Sequence, residues 1–212
     1  MKHQQNPVRG RLNAWLFRIL DSYMDAKYGA LKRRLFAELP DTIVEIGAGS
    51  GANCRYLRPG ARLVAIEPNV HMHPHLRAAA ARHQLALELR PLGADPLPLA
   101  DASAEVVICT LVLCTVPDPV AVLREVRRVL RPGGRFICIE HVAAGAGLVA
   151  WVQRLLGRPW HWFFEGCHTD RATERLRRAS CSKADNRARP PTWGGSVCPR
   201  ARSRAGKASA TA

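Results

Sequence analysis

Short apolar runs separated by glycine- and proline-containing turns recur along the first two thirds of the chain. The runs occupy residues 42–46, 62–66, 85–89, 106–109 and 135–141. The fourth run is continuously apolar, as expected for a strand buried on both faces of a parallel sheet. Residues 119–130 show helical spacing, begin at a proline and end before Pro132-Gly133-Gly134. This alternation predicts an α/β fold, a doubly wound, mostly parallel sheet with helices on both faces and right-handed crossovers.

Apolar residues at three- and four-residue spacing predict one or two amphipathic helices over residues 10–37. They are Leu12, Trp15, Leu16, Ile19, Leu20 and Tyr23. We interpret residues 1–40 as a helical lid, with an interfacial membrane helix as the alternative because arginines lie nearby. No apolar run approaches the roughly 20 residues that cross a bilayer, so we expect neither a signal peptide nor a transmembrane anchor.

The first apolar run ends in a carboxylate and a glycine-rich turn, Glu45-Ile46-Gly47-Ala48-Gly49-Ser50-Gly51. Glycine can take a positive φ and lets backbone N–H groups approach a ligand closely. In the dinucleotide fingerprint G-x-G-x-x-G the third glycine falls where this chain has Ala52. Glu45 would repel a pyrophosphate but suits a ligand with an ammonium group and no phosphate, such as S-adenosylmethionine. A tight turn with no ligand would explain the same glycines.

A second carboxylate, Glu67, closes the second apolar run. An acid at the end of this strand, roughly 20 residues after the glycines, can accept hydrogen bonds from both hydroxyls of a ribose. Glu67 and the glycine turn together predict a nucleoside-binding site. They do not separate NAD from S-adenosylmethionine, because both ligands carry that ribose.

The loops after the third and fourth runs are expected at the same edge of the sheet, where open α/β sheets bind ligands. Ala94 and Asp95 could offer a backbone N–H and a carboxylate to an adenine, although Asp95 could simply cap a turn. Thr110 and Leu111 end the fourth run beside the expected ligand. His71, His73 and His75 have no acid or cysteine nearby to complete a metal site, so we expect a solvated helix start at Pro74 and no metal.

Composition limits the environment and the partners. Seven cysteines without a C-x-x-C pair favour free thiols in a reducing compartment, so we expect a cytoplasmic protein. The net charge of +15 would ordinarily suggest nucleic acid. However, residues 171–212 carry +9 of it, with eleven Lys/Arg against two Asp/Glu. No basic surface interleaved with aromatic residues supports a nucleic-acid partner, which we consider the weaker interpretation.

Four pieces of the chain are together much more specific than the glycine turn alone. They are Val44-Glu45-Ile46-Gly47-Ala48-Gly49-Ser50-Gly51, the strand-end Glu67, Leu97-Pro98-Leu99 with Asp101, Ser103 and Glu105, and Leu130-Arg131-Pro132-Gly133-Gly134. With these pieces, residues 23–180 resemble a class I S-adenosylmethionine-dependent methyltransferase of the methyltransferase type 11 group. The resemblance implies a Rossmann-like fold and S-adenosylmethionine as the cofactor.

Three further pieces narrow the resemblance. They are Cys109-Thr110-Leu111-Val112-Leu113-Cys114, Glu140-His141-Val142-Ala143, and Trp160-His161 with Glu165-Gly166-Cys167. They resemble the methyltransferase-like seven branch, the alkyl-thiol S-methyltransferases. Animal members of this branch sit on membranes through an N-terminal hydrophobic anchor, which we do not expect in this chain.

The resemblance also implies roles for individual residues. Gly47, Gly49 and Gly51 would line the methionine and ribose portions of the cofactor, with Glu45 near its amino group. Glu67 would bind the ribose hydroxyls, Ala94 and Asp95 would lie at the adenine, and Thr110 and Leu111 would lie close to the donor. The wider group often has an acid where this chain has Gly93, so adenine contacts would depend on Asp95 alone.

Methyl transfer asks the protein mainly to align donor and acceptor and to exclude water. A thiol acceptor ionises near neutrality and needs no strong base, whereas a hydroxyl or ring carbon does. The candidate bases are His141 and His161, with packed or solvent-facing histidines as the alternative. A small-molecule acceptor, such as a lipophilic thiol or a quinone precursor, would suit an apolar pocket. Packing or such a pocket would explain the aromatic residues Trp151, Trp160, Trp162, Phe163 and Phe164.

The end of the chain does not fit this fold, which should continue with two further strands. Residues 184–212 contain one large aliphatic residue, Val197, and one aromatic residue, Trp193. We therefore expect a methyltransferase domain over residues 41–183 without its final strands, followed by a basic, disordered tail. Our hypothesis is a departure from the family's reading frame near residues 181–183, because apolar residues disappear where the sixth strand is due.

Two other classes of function stay open on the sequence alone. An NAD-type oxidoreductase is disfavoured by Glu45 and by Ala52, which stands where the third fingerprint glycine would be. A non-catalytic member of the methyltransferase fold would follow if the incomplete sheet prevents catalysis.

Overall fold

Strands and helices alternate in the computed structural model, which describes residues 7–140 and 195–198. The helices are α1 (Pro7–Phe36), α2 (His73–Arg82) and α3 (Pro119–Val129), with a 3-10 turn at Cys54–Tyr56. The strands are β1 (Thr42–Ile46), β2 (Arg62–Ile66), β3 (Ala86–Arg90), β4 (Ala104–Thr110), β5 (Leu130–Ile139) and β6 (Gly195–Cys198). Four of the predicted strands match their runs within one or two residues at each end. The fifth begins five residues earlier than expected, at the end of α3.

The six strands form one sheet in the order β3-β2-β1-β4-β5-β6. The first five strands are parallel, with Val44 of β1 opposite Val64 of β2 and Val107 of β4. The predicted doubly wound sheet is therefore confirmed. The chain builds outward from β1 to β3, then crosses to β4 on the other side of β1. Ligands bind at the carboxyl edge of open sheets where the strand order reverses, which here lies between β1 and β4.

Core residues cover both faces of the central strands. Residues 106–109 of β4 are fully buried and contribute alternately to two apolar clusters, one on each face. On one face β4 packs against α3 through residues such as Val126. On the other face it packs with Leu76 of α2 and Phe36 of α1. Burial on both faces explains why the sequence of β4 is apolar without alternation.

The predicted N-terminal helices are one continuous helix, α1, whose C-terminal half is fixed to the 3-10 turn. Asp25 accepts a hydrogen bond from the Tyr56 hydroxyl, and Asp21 pairs with Arg55. The helix makes two close approaches through glycines. A Cβ on Gly10 would lie 2.7 Å from the His71 ring, and a Cβ on Gly29 would lie 3.3 Å from the Tyr56 hydroxyl.

One face of α1 carries a row of exposed apolar side chains, which we call the apolar stripe. It consists of Val8, Leu12, Trp15, Ile19 and Tyr23. Three- and four-residue spacing places these side chains along one side of the helix. Within residues 7–140 and 195–198, we find no helix that is both long enough and apolar enough to span a bilayer.

The segment between β1 and β2 is less helical than expected. The glycine turn leads into the three-residue 3-10 turn and not into an α-helix. The loop after β1 therefore reaches the sheet edge as a glycine turn whose N–H groups are bound by Ile66 O, Glu67 Oε2 and Ala48 O, and not as the N-terminus of a long helix. Pro132-Gly133-Gly134 ends α3 as predicted, at Val129.

Four residues of the predicted tail form a strand, which corrects the expectation that residues 184–212 supply none. Strand β6 pairs antiparallel with β5, with Val197 opposite Ile137. Pairing at a sheet edge uses backbone N–H and C=O groups, so it does not require the large apolar side chains that this segment lacks. The rest of the tail lies outside the described residues.

Candidate active site

The three glycines of the turn after β1 all have the predicted positive φ angles, +65° at Gly47, +56° at Gly49 and +84° at Gly51. Two of them are also required by packing. A Cβ on Gly47 would lie 2.4 Å from Val112 Cγ2, and a Cβ on Gly51 would lie 2.7 Å from the Cβ of Ala79. Gly49 has open space on that side, since no atom of residues 7–140 or 195–198 beyond its chain neighbours would lie within 4 Å of an added Cβ. It is therefore the glycine at which a ligand can approach the backbone.

Glu67 joins the end of β2 to this turn, as the sequence predicted. Its Oε2 accepts a hydrogen bond from Gly49 N at 2.8 Å, and its Oε1 accepts one from Asn69 N at 2.8 Å. A carboxylate can accept several hydrogen bonds at once, which is the chemistry that two ribose hydroxyls require. The two amides also hold the carboxylate in a fixed orientation at the open side of Gly49.

Glu45 belongs to a buried polar group that could not be predicted from the sequence. Asn53 Nδ2 donates to Glu45 Oε1 at 2.6 Å and lies 3.1 Å from Thr110 Oγ1. This contact links the strand-end residues of β1 and β4 through Asn53. In the sequence, Asn53 is marked only as a polar residue two positions after the last glycine. Its contact with Thr110 could not be predicted, because Thr110 lies 57 positions away in the chain.

Two atoms of this group, Glu45 Oε2 and Asn53 Oδ1, are buried without a hydrogen-bond partner among the described residues. Burial is the main cause that raises the pKa of Glu45 to about 7, and the charge of Glu67 contributes to this rise. The hydrogen bond from Asn53 and the charge of Lys32 partly oppose it. Buried acceptors with no donor are costly. A ligand that brings an ammonium group would satisfy them, which is the chemistry the sequence assigned to Glu45.

Lys32 brings α1 into the electrostatics of the site. Its side chain is buried, with its ammonium 5.5 Å from the centre of the Tyr56 ring. Burial lowers the pKa of Lys32, and the negative charge of Glu45 opposes that shift. The helix therefore contributes a positive charge close to Glu45.

A third strand-end carboxylate, Glu140, holds the loop after β4. Its Oε1 accepts hydrogen bonds from Val112 N and Leu113 N, both at 2.8 Å. Leu111 precedes them with φ +57°, and its N–H donates to Ile139 O at 2.7 Å. The sequence showed an acid at the end of this strand, as at Glu67, but not the loop that it would contact.

Two buried thiols lie beside Glu140. Cys109 and Cys138 are opposite each other on β4 and β5, and their sulfurs lie with a Glu140 oxygen within 4.8 Å of one another. A hydrogen bond with Cys138, together with burial, raises the pKa of the Cys109 thiol well above its usual value. The raised pKa keeps the Cys109 thiol protonated at neutral pH. These groups therefore form a hydrogen-bonded chain at the core side of the loop.

The remaining predicted site residues are placed less directly. Ala94 packs against the core face that α3 covers, and Asp95 is exposed. Their contact with adenine stays a prediction. Thr110 joins the Asn53 group and Leu111 begins the loop held by Glu140, so both lie at the expected edge. His141, His161 and the aromatic residues 151–164 lie outside the described residues.

His73 corrects the expectation of a solvated helix start. The side chain is buried, with Nε2 2.9 Å from the carbonyl oxygen of Glu67. Pro74 lies in the first turn of α2 as predicted, but the helix begins at His73, whose side chain turns inward to the carbonyl of Glu67. A buried imidazole requires a hydrogen-bond partner, and the Glu67 carbonyl provides it.

Three parts of this site fit S-adenosylmethionine. The open side of Gly49 admits a ligand to the backbone, Glu67 presents a carboxylate there, and Glu45 with Asn53 supplies unpaired buried acceptors for an ammonium group. A carboxylate at each of two adjacent strand ends favours a cationic nucleoside over a pyrophosphate-bearing cofactor such as NAD.

Comparison with known proteins agrees with this geometry. The family model for the methyltransferase domain matches residues 44–138. The human thiol S-methyltransferase TMT1A is 39% identical over 165 residues, which cover 72% of this chain and 68% of that protein. The human thiol S-methyltransferase TMT1B is 36% identical over 190 residues, which cover 84% of this chain and 78% of that protein.

Solved structures show the same fold. A Methanococcus maripaludis protein, assigned provisionally to the S-adenosyl-L-methionine-dependent methyltransferases, superimposes with a TM-score of 0.66 at 16% identity, covering 92% of this chain and 94% of that one. The [4+2]-cyclase SpnF has a TM-score of 0.56 at 20% identity, covering 76% of this chain and 57% of that one. Fold alone therefore does not specify a reaction. Sequence identity and the donor site together do, and the chain belongs to the class I S-adenosylmethionine-dependent methyltransferases, in the family that includes the thiol S-methyltransferases.

Proposed function

We propose that the small-molecule acceptor of this methyltransferase is a lipophilic thiol. The observation that carries the proposal is the 39% identity to a thiol S-methyltransferase across most of both chains. The chemistry is consistent with the site, because a thiol ionises near neutrality and its thiolate attacks without a strong base. The runner-up acceptor is the hydroxyl of a quinone precursor, since a ubiquinone biosynthesis O-methyltransferase from Cereibacter sphaeroides is 26% identical over 211 residues.

The reaction requires alignment more than activation. S-adenosylmethionine, when bound, supplies a methyl group made electrophilic by its sulfonium. With that methyl group transferred to the acceptor sulfur, the products would be a thioether and S-adenosylhomocysteine, and the thiol proton would pass to solvent. Glu45, Asn53, Gly49 and Glu67 bind and orient the donor, and the buried strand ends exclude water from it.

The test is transfer of radiolabelled methyl to a panel of an alkanethiol, an aryl thiol, a catechol-type quinone precursor and a primary amine. We expect labelled thioether from the thiols and no more than background from the other acceptors. A preference for the catechol would replace the thiol by the runner-up. Absence of transfer to any acceptor, with donor binding intact, would favour a non-catalytic member of the fold.

We also propose that the protein is cytoplasmic and contacts membrane surfaces through the apolar stripe of α1. Cys54, Cys109, Cys114 and Cys138 are free thiols, which suits a reducing compartment. Trp15 and Ile19 are each about half exposed, and Arg11 beside them is exposed. Apolar side chains next to positive charge favour binding in the plane of an anionic lipid surface.

Vesicle co-sedimentation tests the membrane contact. The wild-type protein should bind mixed phosphatidylcholine–phosphatidylserine vesicles, and a Trp15→Ser, Ile19→Ser double variant should bind at least several-fold less. Leu92→Ser, at an apolar residue of similar exposure outside α1, is the matched control. Equal sedimentation of the double variant and the control would refute the contact and leave the stripe to be covered by protein.

A further inference from the structure

The loop after β4 links the end of β5 to the glycine turn. Glu140 holds the backbone N–H groups of Val112 and Leu113, and the side chain of Val112 occupies the space beside Gly47. We infer that Glu140 is a positioning residue for the donor site, acting through Val112. Glu140 acts by fixing the position of Val112, against which the glycine turn packs.

The loop needs this support because its backbone is strained. Leu111 has φ +57°, a left-handed conformation that side chains with a Cβ disfavour. Strained conformations persist only when surrounding contacts determine them. Here three successive N–H groups, those of residues 111, 112 and 113, are held by Ile139 and Glu140 at the end of β5. Without the Glu140 carboxylate, two of these three bonds are lost.

The loop after β4 also fixes the position of the glycine turn after β1. The atoms of Val112 leave no room for a Cβ at Gly47, so the two segments are in direct contact. Gly47 N donates to Ile66 O at 2.8 Å, which fixes the first residue of the turn between β2 and Val112. Two residues later, Gly49 N donates to Glu67. A shift of Val112 therefore moves the segment that orients the donor-binding carboxylate.

The neighbouring thiols suggest a different role for Glu140, as a metal ligand with Cys109 and Cys138. The hydrogen bonds favour positioning, because Oε1 already accepts from two amides and lies 3.7 Å from the Cys109 sulfur. An oxygen with these donors is oriented toward the loop backbone. Oε1 is thus used in holding the loop.

The inference rests on S-adenosylmethionine being the donor, so its test measures donor binding and loop protection without any acceptor. Calorimetry would give the donor dissociation constant for the wild type, Glu140→Gln and Glu140→Ala, and hydrogen exchange would follow a peptide covering residues 109–116. Glu105→Gln is the matched control, since Glu105 makes an exposed ion pair with Arg131 at the opposite end of β4.

We expect Glu140→Ala to weaken donor binding about tenfold or more and to speed exchange at residues 112 and 113. Glu140→Gln should have a smaller effect of the same sign, because its amide oxygen still accepts but the bonds lose their charge assistance. Combined with Val112→Ala, the Glu140→Gln effect on binding should shrink, since a residue that acts through another is not additive with it.

The inference is wrong if Glu140→Gln binds the donor and exchanges its amides as the wild type does. It is also wrong if the effects of Glu140→Gln and Val112→Ala on binding are additive. The Glu140→Gln measurements decide the question by themselves if Glu140→Ala does not fold. Failure of the wild-type protein to bind S-adenosylmethionine would instead contradict the donor assignment, so the two outcomes are distinguishable.

Discussion

The carboxylate of Glu67 accepts a hydrogen bond from the backbone N–H of Gly49 at 2.8 Å, across 18 positions of the chain. This bond joins the two features that the sequence offered as a nucleoside site, the strand-end acid and the glycine turn. It also means that Glu67 shapes the turn before any ligand arrives. Substitutions here therefore act on local structure and on donor binding together.

Glu67→Gln should reduce donor affinity by at least about tenfold, because a neutral amide accepts weaker hydrogen bonds from ribose hydroxyls than a carboxylate does. Thermal stability should fall only modestly, since the amide oxygen can still accept one of the two backbone bonds. Calorimetric titration with S-adenosylmethionine checks this. Glu88→Gln on β3, an exposed ion-pair residue, is the control. Equal affinity of the two variants would contradict the role of Glu67.

Gly47→Ala and Gly49→Ala should separate folding from binding. At Gly47 the added Cβ would meet Val112 at 2.4 Å, so we expect a loss of about 1–3 kcal/mol in the free energy of unfolding. At Gly49 there is room, and only the positive φ is penalised, by about 1 kcal/mol. That variant should fold but lose donor affinity, because the Cβ occupies the ligand's approach. Denaturant unfolding and calorimetry together test the contrast.

The raised pKa of Glu45 predicts a pH dependence of stability. Burial raises this pKa from 4.5 to about 7, so between these values the folded protein holds a proton that the unfolded chain has released. This proton contributes about 3 kcal/mol to the free energy of unfolding. The contribution is fully present below pH 4.5 and is lost as the pH rises to about 7. Glu45→Gln should remove this dependence and be the more stable protein at about pH 8.

The measurement is the free energy of unfolding of the wild type and Glu45→Gln across this pH range. The difference between them isolates Glu45 from other titrating groups. Parallel pH profiles would show that Glu45 does not titrate as proposed. Donor affinity of the wild type should rise with pH over the same interval, because the ionised carboxylate is the form that binds an ammonium group.

Asn53→Ala should affect both stability and donor binding. It removes the donor of the 2.6 Å bond to Glu45 and leaves a buried carboxylate with fewer partners, which costs about 1–3 kcal/mol. The pKa of Glu45 should rise further, since Asn53 is the largest of the effects that lower it. The pH at which stability changes should therefore move upward. An unchanged profile would exclude Asn53 from the group.

The reading-frame hypothesis has a direct test in the coding DNA. If the frame departs near residues 181–183, another frame beyond that point should encode a hairpin rich in Val, Ile and Phe. Such a hairpin would occupy the edge of β5 with which the four residues of β6 pair. If neither alternative frame encodes it, the hypothesis is wrong.

The sequence predicted those parts of the site that depend on local pattern. Glu45, Glu67 and the glycines could be found because a strand end followed by a turn is a local signal, and parallel strands bring their ends to one edge. Asn53, Glu140 and the Cys109–Cys138 pair could not, since their partners come from distant strands whose register no local pattern gives. His73 was misjudged because its burial depends on how the loop after Glu67 folds back, and β6 because edge pairing requires only backbone groups.

The two glycines of α1 have a consequence for how this helix should be regarded. Gly10 and Gly29 lie where an added Cβ would crowd His71 and Tyr56, so the helix backbone comes close to the segments that follow β2 and β1. Such a fit ties residues 7–36 to both of these segments. A shortened protein that begins at β1 should accordingly lose order in the two loops that carry Glu67 and the glycines.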